Sequence, residues 1–223
     1  MIKLINISKD YNDDMVVHAL KDVSLEIPDS KFISIVGKSG SGKTTLLNII
    51  GALDRPTKGE IYFQDLLITS LDDKELAEYR NKNIGYIFQD FYLEPSFTVL
   101  ENVCMPLVIK GMKKKEREEI VLKYLALLGI DKKANVMVSK LSGGEKQRCA
   151  IARALVNGGN IILADEPTGN LDSINSKIVL DELKKLTSIG KTVILVTHNE
   201  DDASKYSDYV ITIKDGVIDN EIK

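Results

Sequence analysis

The run Phe32-Ile33-Ser34-Ile35-Val36-Gly37-Lys38-Ser39-Gly40-Ser41-Gly42-Lys43-Thr44-Thr45 constrains this chain more than any other. A short apolar strand passes into a glycine-rich loop, and Leu46-Leu47-Asn48-Ile49-Ile50 opens a helix. Gly37, Gly42, Lys43 and Thr44 fill the pattern G-x-x-x-x-G-K-[ST], a phosphate-binding loop. Glycines let the backbone wrap tightly and aim several N–H groups at one phosphate chain. The helix starting at Lys43 adds the positive end of its dipole. Lys43 can reach the β- and γ-phosphates, and the Thr44 hydroxyl suits Mg²⁺. At average residue usage the pattern arises by chance in about one chain in a hundred of this length. The flanking strand and helix supply the context the motif requires, so the loop implies a nucleoside triphosphate ligand.

The rest of the composition narrows the class. A chain of 223 residues with 43% hydrophobic content can bury a sizeable core, and one domain with a subdomain is expected. A net charge of −3 gives no argument for nucleic acid as a partner. Cys104 and Cys149 lack metal-ligand or C-x-x-C spacing and read as buried reduced thiols, consistent with a cytosolic compartment. Met1-Ile2-Lys3-Leu4 leads into a strand pattern without an apolar signal region, and no apolar run approaches the ~20 residues that span a bilayer. A soluble protein is expected.

Ile2 to Ile7 and Val23 to Ile27 alternate with the period of half-buried strands, and with Asp13-Asp14 and Pro28-Asp29 as turns they predict an antiparallel layer. Pro56-Thr57-Lys58-Gly59 reads as a turn before a strand over Glu60 to Gln64, then a helix over 72–80 and a buried strand over 84–88 ending at Gln89. From 98 to 139 strand signal nearly vanishes. Thr98 is the N-cap of a helix carrying Leu100, Val103, Cys104 and Leu107, and a second helix runs from about Lys114 to Gly129. The mixed-sign run Lys113 to Glu119 reads as a solvated face. Alternation then returns as helix 143–156, strand 161–164, helix 173–188, strand 192–196, a short helix and a strand pair around Tyr209 to Ile218. Strands alternating with helices imply a mostly parallel sheet with ligand at the strands' carboxyl ends.

Two further pieces carry chemistry. Ile161-Ile162-Leu163-Ala164-Asp165-Glu166 is a buried strand ending in two acids. Asp165 suits Mg²⁺, and Glu166 can orient and deprotonate an attacking water. Leu141-Ser142-Gly143-Gly144-Glu145, before Lys146-Gln147-Arg148, puts Ser and glycines at a helix start. That is an N-capped helix, or a second anion site. If two copies pair about a two-fold axis, each copy's Ser142 tip covers the γ-phosphate held by the other's loop.

In this order the motifs resemble the ATP-binding subunit of ABC (ATP-binding cassette) transporters, and the resemblance covers essentially the whole chain. Leu141-Ser142-Gly143-Gly144-Glu145 matches the family's signature motif. The resemblance implies an α/β fold: a P-loop NTPase core with a mostly parallel sheet (about 32–90 and 158–223), an antiparallel β subdomain (about 1–31) and a helical insertion subdomain (about 91–157). It implies that Gln89 is the Q-loop residue contacting Mg²⁺ and relaying to a membrane partner. Gly169-Asn170-Leu171-Asp172 is similar to the D-loop, with Asp172 at the dimer seam. His198 matches the switch histidine and Tyr11 the aromatic that stacks on adenine, whereas His18 matches nothing and reads as structural. Two departures stand out: Asp29-Ser30-Lys31 where relatives carry Gly-Glu, and Thr44-Thr45 in place of Ser-Thr.

Within the family, Phe88 to Leu93 with Thr98 to Val103, and Asp165 to Asp172, are similar to the branch serving macrolide export, lipoprotein release, cell-division signalling and antimicrobial-peptide resistance. The expectation is an ATPase that binds ATP and Mg²⁺, dimerises on ATP and powers a separate integral-membrane permease. It would be cytoplasmic and peripheral at the inner face of the membrane, with no nucleic acid partner. A non-transporting regulatory ATPase of the cell-division type is the alternative. A DNA-repair or translation cassette would carry a coiled-coil insertion or a second cassette. The segment Asp90-Phe91-Tyr92-Leu93-Glu94-Pro95 is expected to be partly exposed and to receive a permease helix, unless Phe91 and Leu93 pack under the helices at 98–110.

Overall fold

The computed structural model describes residues 1–12 and 15–222, so the turn expected at Asp13-Asp14 lies outside the described residues. The chain divides into two compact units, residues 1–80 with the chain from Lys184 onward, and Asn81–Leu183.

The first unit holds an antiparallel sheet in the order β2-β1-β4-β5, formed by β1 (Ile2–Asn12), β2 (Val16–Ile27), β4 (Lys58–Phe63) and β5 (Leu66–Leu67). Ile2 and Leu4 of β1 and Val23, Leu25 and Ile27 of β2 are buried, as alternation requires of a sheet with one covered face, and Ile7 is buried beyond a break in register at Asn6, which takes φ 51°. Strand β4 begins two residues earlier than the sequence suggests, because β1 runs on to Asn12. Ser8 therefore remains available to pair with Lys58 and to accept the Thr57 N–H at 2.8 Å.

The same unit carries β3 (Phe32–Val36), β8 (Thr192–Val196), β9 (Tyr209–Lys214) and β10 (Val217–Ile222) in the order β10-β9-β3-β8. β3 is parallel to β8 and β9, and every residue of β3 and β8 is buried, which explains runs that are apolar except at Ser34 and Thr192. β10 turns back on β9 through Asp215-Gly216, both at positive φ, and reaches four residues past the sequence expectation. Helices α1 (Lys43–Ile50) and α7 (Glu200–Tyr206) also belong here, and α2 (Asp73–Asn83) begins here. The departure at Asp29-Ser30-Lys31 is a turn with Ser30 at φ 58°, pinned by its N–H on Thr192 Oγ1 at 2.9 Å and its hydroxyl on the Gly190 carbonyl at 3.2 Å.

In the second unit β6 (Ile84–Ile87) runs parallel to β7 (Ile161–Asp165). Helices α3 (Val99–Ile109), α4 (Lys114–Leu127) and α5 (Gly143–Leu155) are built here, and α6 (Ser173–Ser188) starts here. Thr98 caps α3 in a capping box with Glu101, the hydroxyl accepting the Glu101 N–H at 3.2 Å and the carboxylate accepting the Thr98 N–H at 2.8 Å. A Schellman motif ends α4: Gly129 N–H bonds the Ala126 carbonyl and Ile130 N–H the Leu125 carbonyl. The charged run at its start is exposed at Lys113 to Glu116, with a Lys114–Glu118 pair at 3.8 Å along one face. A Cβ on Gly85 of β6 would fall inside the Ala154 carbonyl, so β6 and α5 meet backbone to backbone. Cys104 and Cys149 are free and buried, and burial pushes the Cys149 thiol up to about 12.

Candidate functional site

The glycine loop of the first unit is a cradle. Gly42 takes φ 104°, a left-handed conformation that favours glycine, and a Cβ there would lie 2.5 Å from the Ala19 carbonyl oxygen. α1 therefore begins with no side-chain cap and no acid in its first turn. Lys43 is buried, its ammonium donating to the Gly37 and Lys38 carbonyls at 2.9 and 2.8 Å. Ser41 Oγ is buried with no hydrogen-bond partner among the described residues. An uncapped helix start, a buried ammonium and an orphaned hydroxyl on one loop fit a chain of phosphates.

Tyr11 and His198 lie in the same unit. The Tyr11 hydroxyl donates to Asp54 Oδ2 at 2.8 Å and also bonds the Thr45 side chain, which fixes its ring beside the first turn of α1. Burial, then the bond to Asp54, pushes the Tyr11 phenol above its ordinary value. Burial raises the Asp54 carboxyl, but bonds from Lys9, Tyr11 and the Arg55 N–H outweigh it and hold that carboxyl low. The loop after β3 and His198 after β8 leave the carboxyl ends of neighbouring parallel strands, stitched by the Thr197 N–H on the Ile35 carbonyl at 3.2 Å. His198 is exposed. His18 pairs across the β1–β2 ladder with Asp10, its Nδ1 2.7 Å from the carboxylate.

The remaining candidates belong to the second unit. Asp165 ends β7 half-buried, and its charge, after burial itself, raises the Tyr86 phenol. Glu166 takes φ 47°, a left-handed backbone that costs about 1–3 kcal/mol and gathers at functional sites. The turn it opens packs on Gln89: a Cβ on Gly169 would be 2.9 Å from Gln89 Nε2, and Asn170 Nδ2 donates to the Gln89 carbonyl at 3.1 Å. Asp172 caps α6, accepting the Ile174 and Asn175 N–H groups at 3.0 and 2.9 Å. These bonds, the Asn175 N–H first, lower its pKa.

Ser142 is the N-cap of α5. Its hydroxyl accepts the Glu145 N–H at 3.4 Å, and Glu145 Oε2 accepts the Ser142 N–H at 2.9 Å and the hydroxyl at 3.1 Å. The Ser142 N–H, then the Ser142 hydroxyl and Lys133, hold the Glu145 carboxyl below its usual range against the opposing effect of burial. Leu141 is buried, while a Cβ on Gly143 would lie 3.6 Å from Leu171 and one on Gly144 would lie 2.7 Å from Asn175 Oδ1. Gly143 thus packs on the turn at 169–172 and Gly144 on the first turn of α6.

The predicted residues therefore form two groups, Tyr11, 37–45 and His198 in one unit and Gln89, 141–145, Asp165, Glu166 and Asp172 in the other. Sequence reasoning missed Asp54, which anchors Tyr11. It also missed Arg153 and Asn102, which hold the segment after Gln89. Arg153 guanidinium nitrogens donate to the Phe91 carbonyl at 2.6 Å and to the Tyr92 carbonyl. Asn102, 2% exposed, accepts the Glu94 N–H at 2.7 Å and donates to the Glu94 carbonyl at 3.0 Å. An arginine set in the otherwise apolar run 149–156 was the available signal for Arg153.

A model of the ABC transporter family matches residues 20–169. MJ0796 of Methanocaldococcus jannaschii, an uncharacterized ABC transporter ATP-binding protein, is 46% identical over 100% of this chain and 97% of its own length. The lipoprotein-releasing system ATP-binding protein LolD of Bacteroides thetaiotaomicron is 43% identical, covering 98% and 99%. The macrolide export ATP-binding/permease protein MacB of Pasteurella multocida is 45% identical over 98% of this chain, which spans 34% of MacB. A dimeric MJ0796 cassette superimposes with a TM-score of 0.92 at 46% identity, covering 100% of this chain and 98% of that one. A second MJ0796 dimer, in a post-hydrolysis state with ADP and Pi, gives 0.92 at 45% identity. In sequence and in fold alike, this chain belongs to the ABC transporter family.

Proposed function

We propose that this chain is an ATP-hydrolysing subunit that closes into a homodimer on ATP and powers a separate membrane permease. The observation that carries it is the uncapped start of α1 above the Lys43 ammonium, a cradle built for phosphates. The dimeric MJ0796 cassettes, one holding ADP and Pi, support the same reading, as do the names of LolD and MacB. Loop residues 37–45 hold the phosphates, with Lys43 on the β- and γ-phosphates. Tyr11 stacks on the adenine. Thr44, Asp165 and Gln89 would hold Mg²⁺, which neutralises developing phosphate charge when bound. Glu166 orients and deprotonates the attacking water, and His198 contacts the γ-phosphate. Ser142 and Gly143-Gly144 of each copy cover the other copy's phosphates, with Leu141 and Glu145 shaping that tip and Asp172 at the seam.

In this reading residues 91–157 act as a helical subdomain turned by the cycle, and the exposed Tyr92 ring, 66% accessible, meets the permease. Among the described residues no helix is long and apolar enough to cross a membrane. The proposed place of action is the cytoplasmic face, reached through the permease.

Glu166→Gln tests the reading. With ATP and Mg²⁺ the variant should bind nucleotide, lose about 100-fold or more of its turnover and run as a dimer in light scattering. A variant that binds ATP yet stays monomeric at high protein concentration would remove the two-chain site.

A further inference from the structure

After β6 the chain has no regular secondary structure until α3, yet it is gripped along its length. Asn170 Nδ2 holds the Gln89 carbonyl and approaches Asp90 Oδ1 at 3.4 Å. Arg153 of α5 donates to two successive carbonyls, those of Phe91 and Tyr92. Asn102 of α3 closes on both polar groups of the Glu94 backbone. Phe91 and Tyr92 take φ 61° and 44°, consecutive left-handed non-glycine residues that persist only where their surroundings dictate them. The Tyr92 ring stands edge-on to Phe88 at 4.9 Å, and Phe88 stacks on Tyr86 of β6 at 4.2 Å.

Arg153 stands out among these grips. It is half-buried, and burial lowers its pKa. It lies on the helix whose first turn is Gly143-Gly144-Glu145, eleven residues downstream of Ser142. A guanidinium presents its N–H groups in a fixed planar fork, so the spacing of the two carbonyls it holds is set by its own geometry, whereas an ammonium carries its donors on a flexible stem.

We propose that Arg153 is the positioning residue that fastens the strap Gln89–Glu94 to α5, so that movement at the Ser142 tip is delivered to the strap and its exposed Tyr92. The proposal rests on the ATP-driven pairing described above and names its internal linkage. The helix transmits because it is rigid, and the fork grips because it is bidentate.

Hydrogen–deuterium exchange separates the linkage from the pairing. The Phe91 and Tyr92 N–H groups are bonded to the Phe88 and Asp90 carbonyls, so their exchange reports the strap. Without nucleotide, Arg153→Lys should exchange about tenfold faster than wild type across 89–94, with helix α5 amides unchanged. In the Glu166→Gln background, ATP with Mg²⁺ should slow exchange at 142–146 and alter it at 89–94. Adding Arg153→Lys should keep the first response and erase the second. Arg153→Gln, neutral and shorter in reach, serves if the lysine variant folds poorly, and a return towards wild type in lysine over glutamine would mark charge as part of the grip. Unchanged strap exchange without nucleotide, or an undiminished ATP response at 89–94 in both variants, overturns the proposal. Absence of any ATP response at 142–146 in Glu166→Gln sinks the pairing itself, while the nucleotide-free measurement still decides the strap.

Discussion

Two glycine-marked helix starts, one in each unit, use the same backbone donors in opposite ways. α1 opens from Gly42 in a left-handed turn with no capping side chain, whereas α5 opens from Ser142 at φ −66° and ψ 163° inside a closed capping box. The first offers a ligand a helix start with no capping side chain. The second already satisfies two of its own N–H groups with Ser142 and Glu145 and is a self-sufficient helix end. A phosphate at α1 therefore meets a helix start with no capping side chain, whereas one reaching α5 meets a hydroxyl held by a carboxylate. The comparison teaches that two tips rich in glycine need not be equivalent anion sites: one is a receptor, the other a finished cap that must share its hydroxyl.

The largest expected effect falls on the receptor. Lys43→Ala should cut ATP turnover by about 100- to 1,000-fold and weaken nucleotide binding in a titration. If turnover stays within tenfold of wild type, α1 is not the receptor.

The cap is sharpened by a matched pair. Thr98 of α3 and Ser142 of α5 make the same box, but only Ser142 stands at the proposed seam. Thr98→Ala and Ser142→Ala should each cost about 1 kcal/mol, seen as ~2–4 °C in a thermal melt. Only Ser142→Ala should also slow ATP turnover. Equal turnover in the two variants would reduce Ser142 to a structural cap.

The smallest effect is in acid. Glu145, held below the ordinary glutamate range chiefly by the Ser142 N–H, contributes stability that is complete above that range and is lost as pH falls through its folded-state value. Glu101 does the same for α3 through the Thr98 N–H. α1 has no acid in its first turn and adds no such dependence. Glu145→Gln should flatten part of the fall in melting temperature below about pH 4.5, leaving the Glu101 share. An unchanged slope would show that the carboxylate is no better bonded folded than unfolded.

What the sequence made legible was local. The limits of α6 at 173–188 and β8 at 192–196, the Thr98 cap and the glycine loop all follow from periodicity or from residue types acting on near neighbours. The full length of β10 did not, because Val217 to Ile222 is largely exposed and lacks a covered face to impose alternation. Nor did the grip of Arg153 on residues 61 and 62 positions away, since no local pattern states which carbonyls a buried guanidinium will find. Tyr11 shows the same divide: an aromatic before a turn was visible, whereas its anchor Asp54, 43 residues on, was not.

Gly85 carries a consequence for how mutations distribute over this chain. Its backbone is not among the left-handed ones, so nothing in its own torsions demands glycine, yet the Ala154 carbonyl occupies the space of a first side-chain carbon. Its intolerance is imposed from outside, by a helix 69 positions away in sequence. A saturation screen should therefore reject alanine at 85 as firmly as at Gly42, where a left-handed torsion adds to a close carbonyl. Suppressors should separate the two, because a change that resettles α5 near Ala154 can rescue the strand position, whereas moving the Ala19 carbonyl would still leave Gly42 its left-handed torsion.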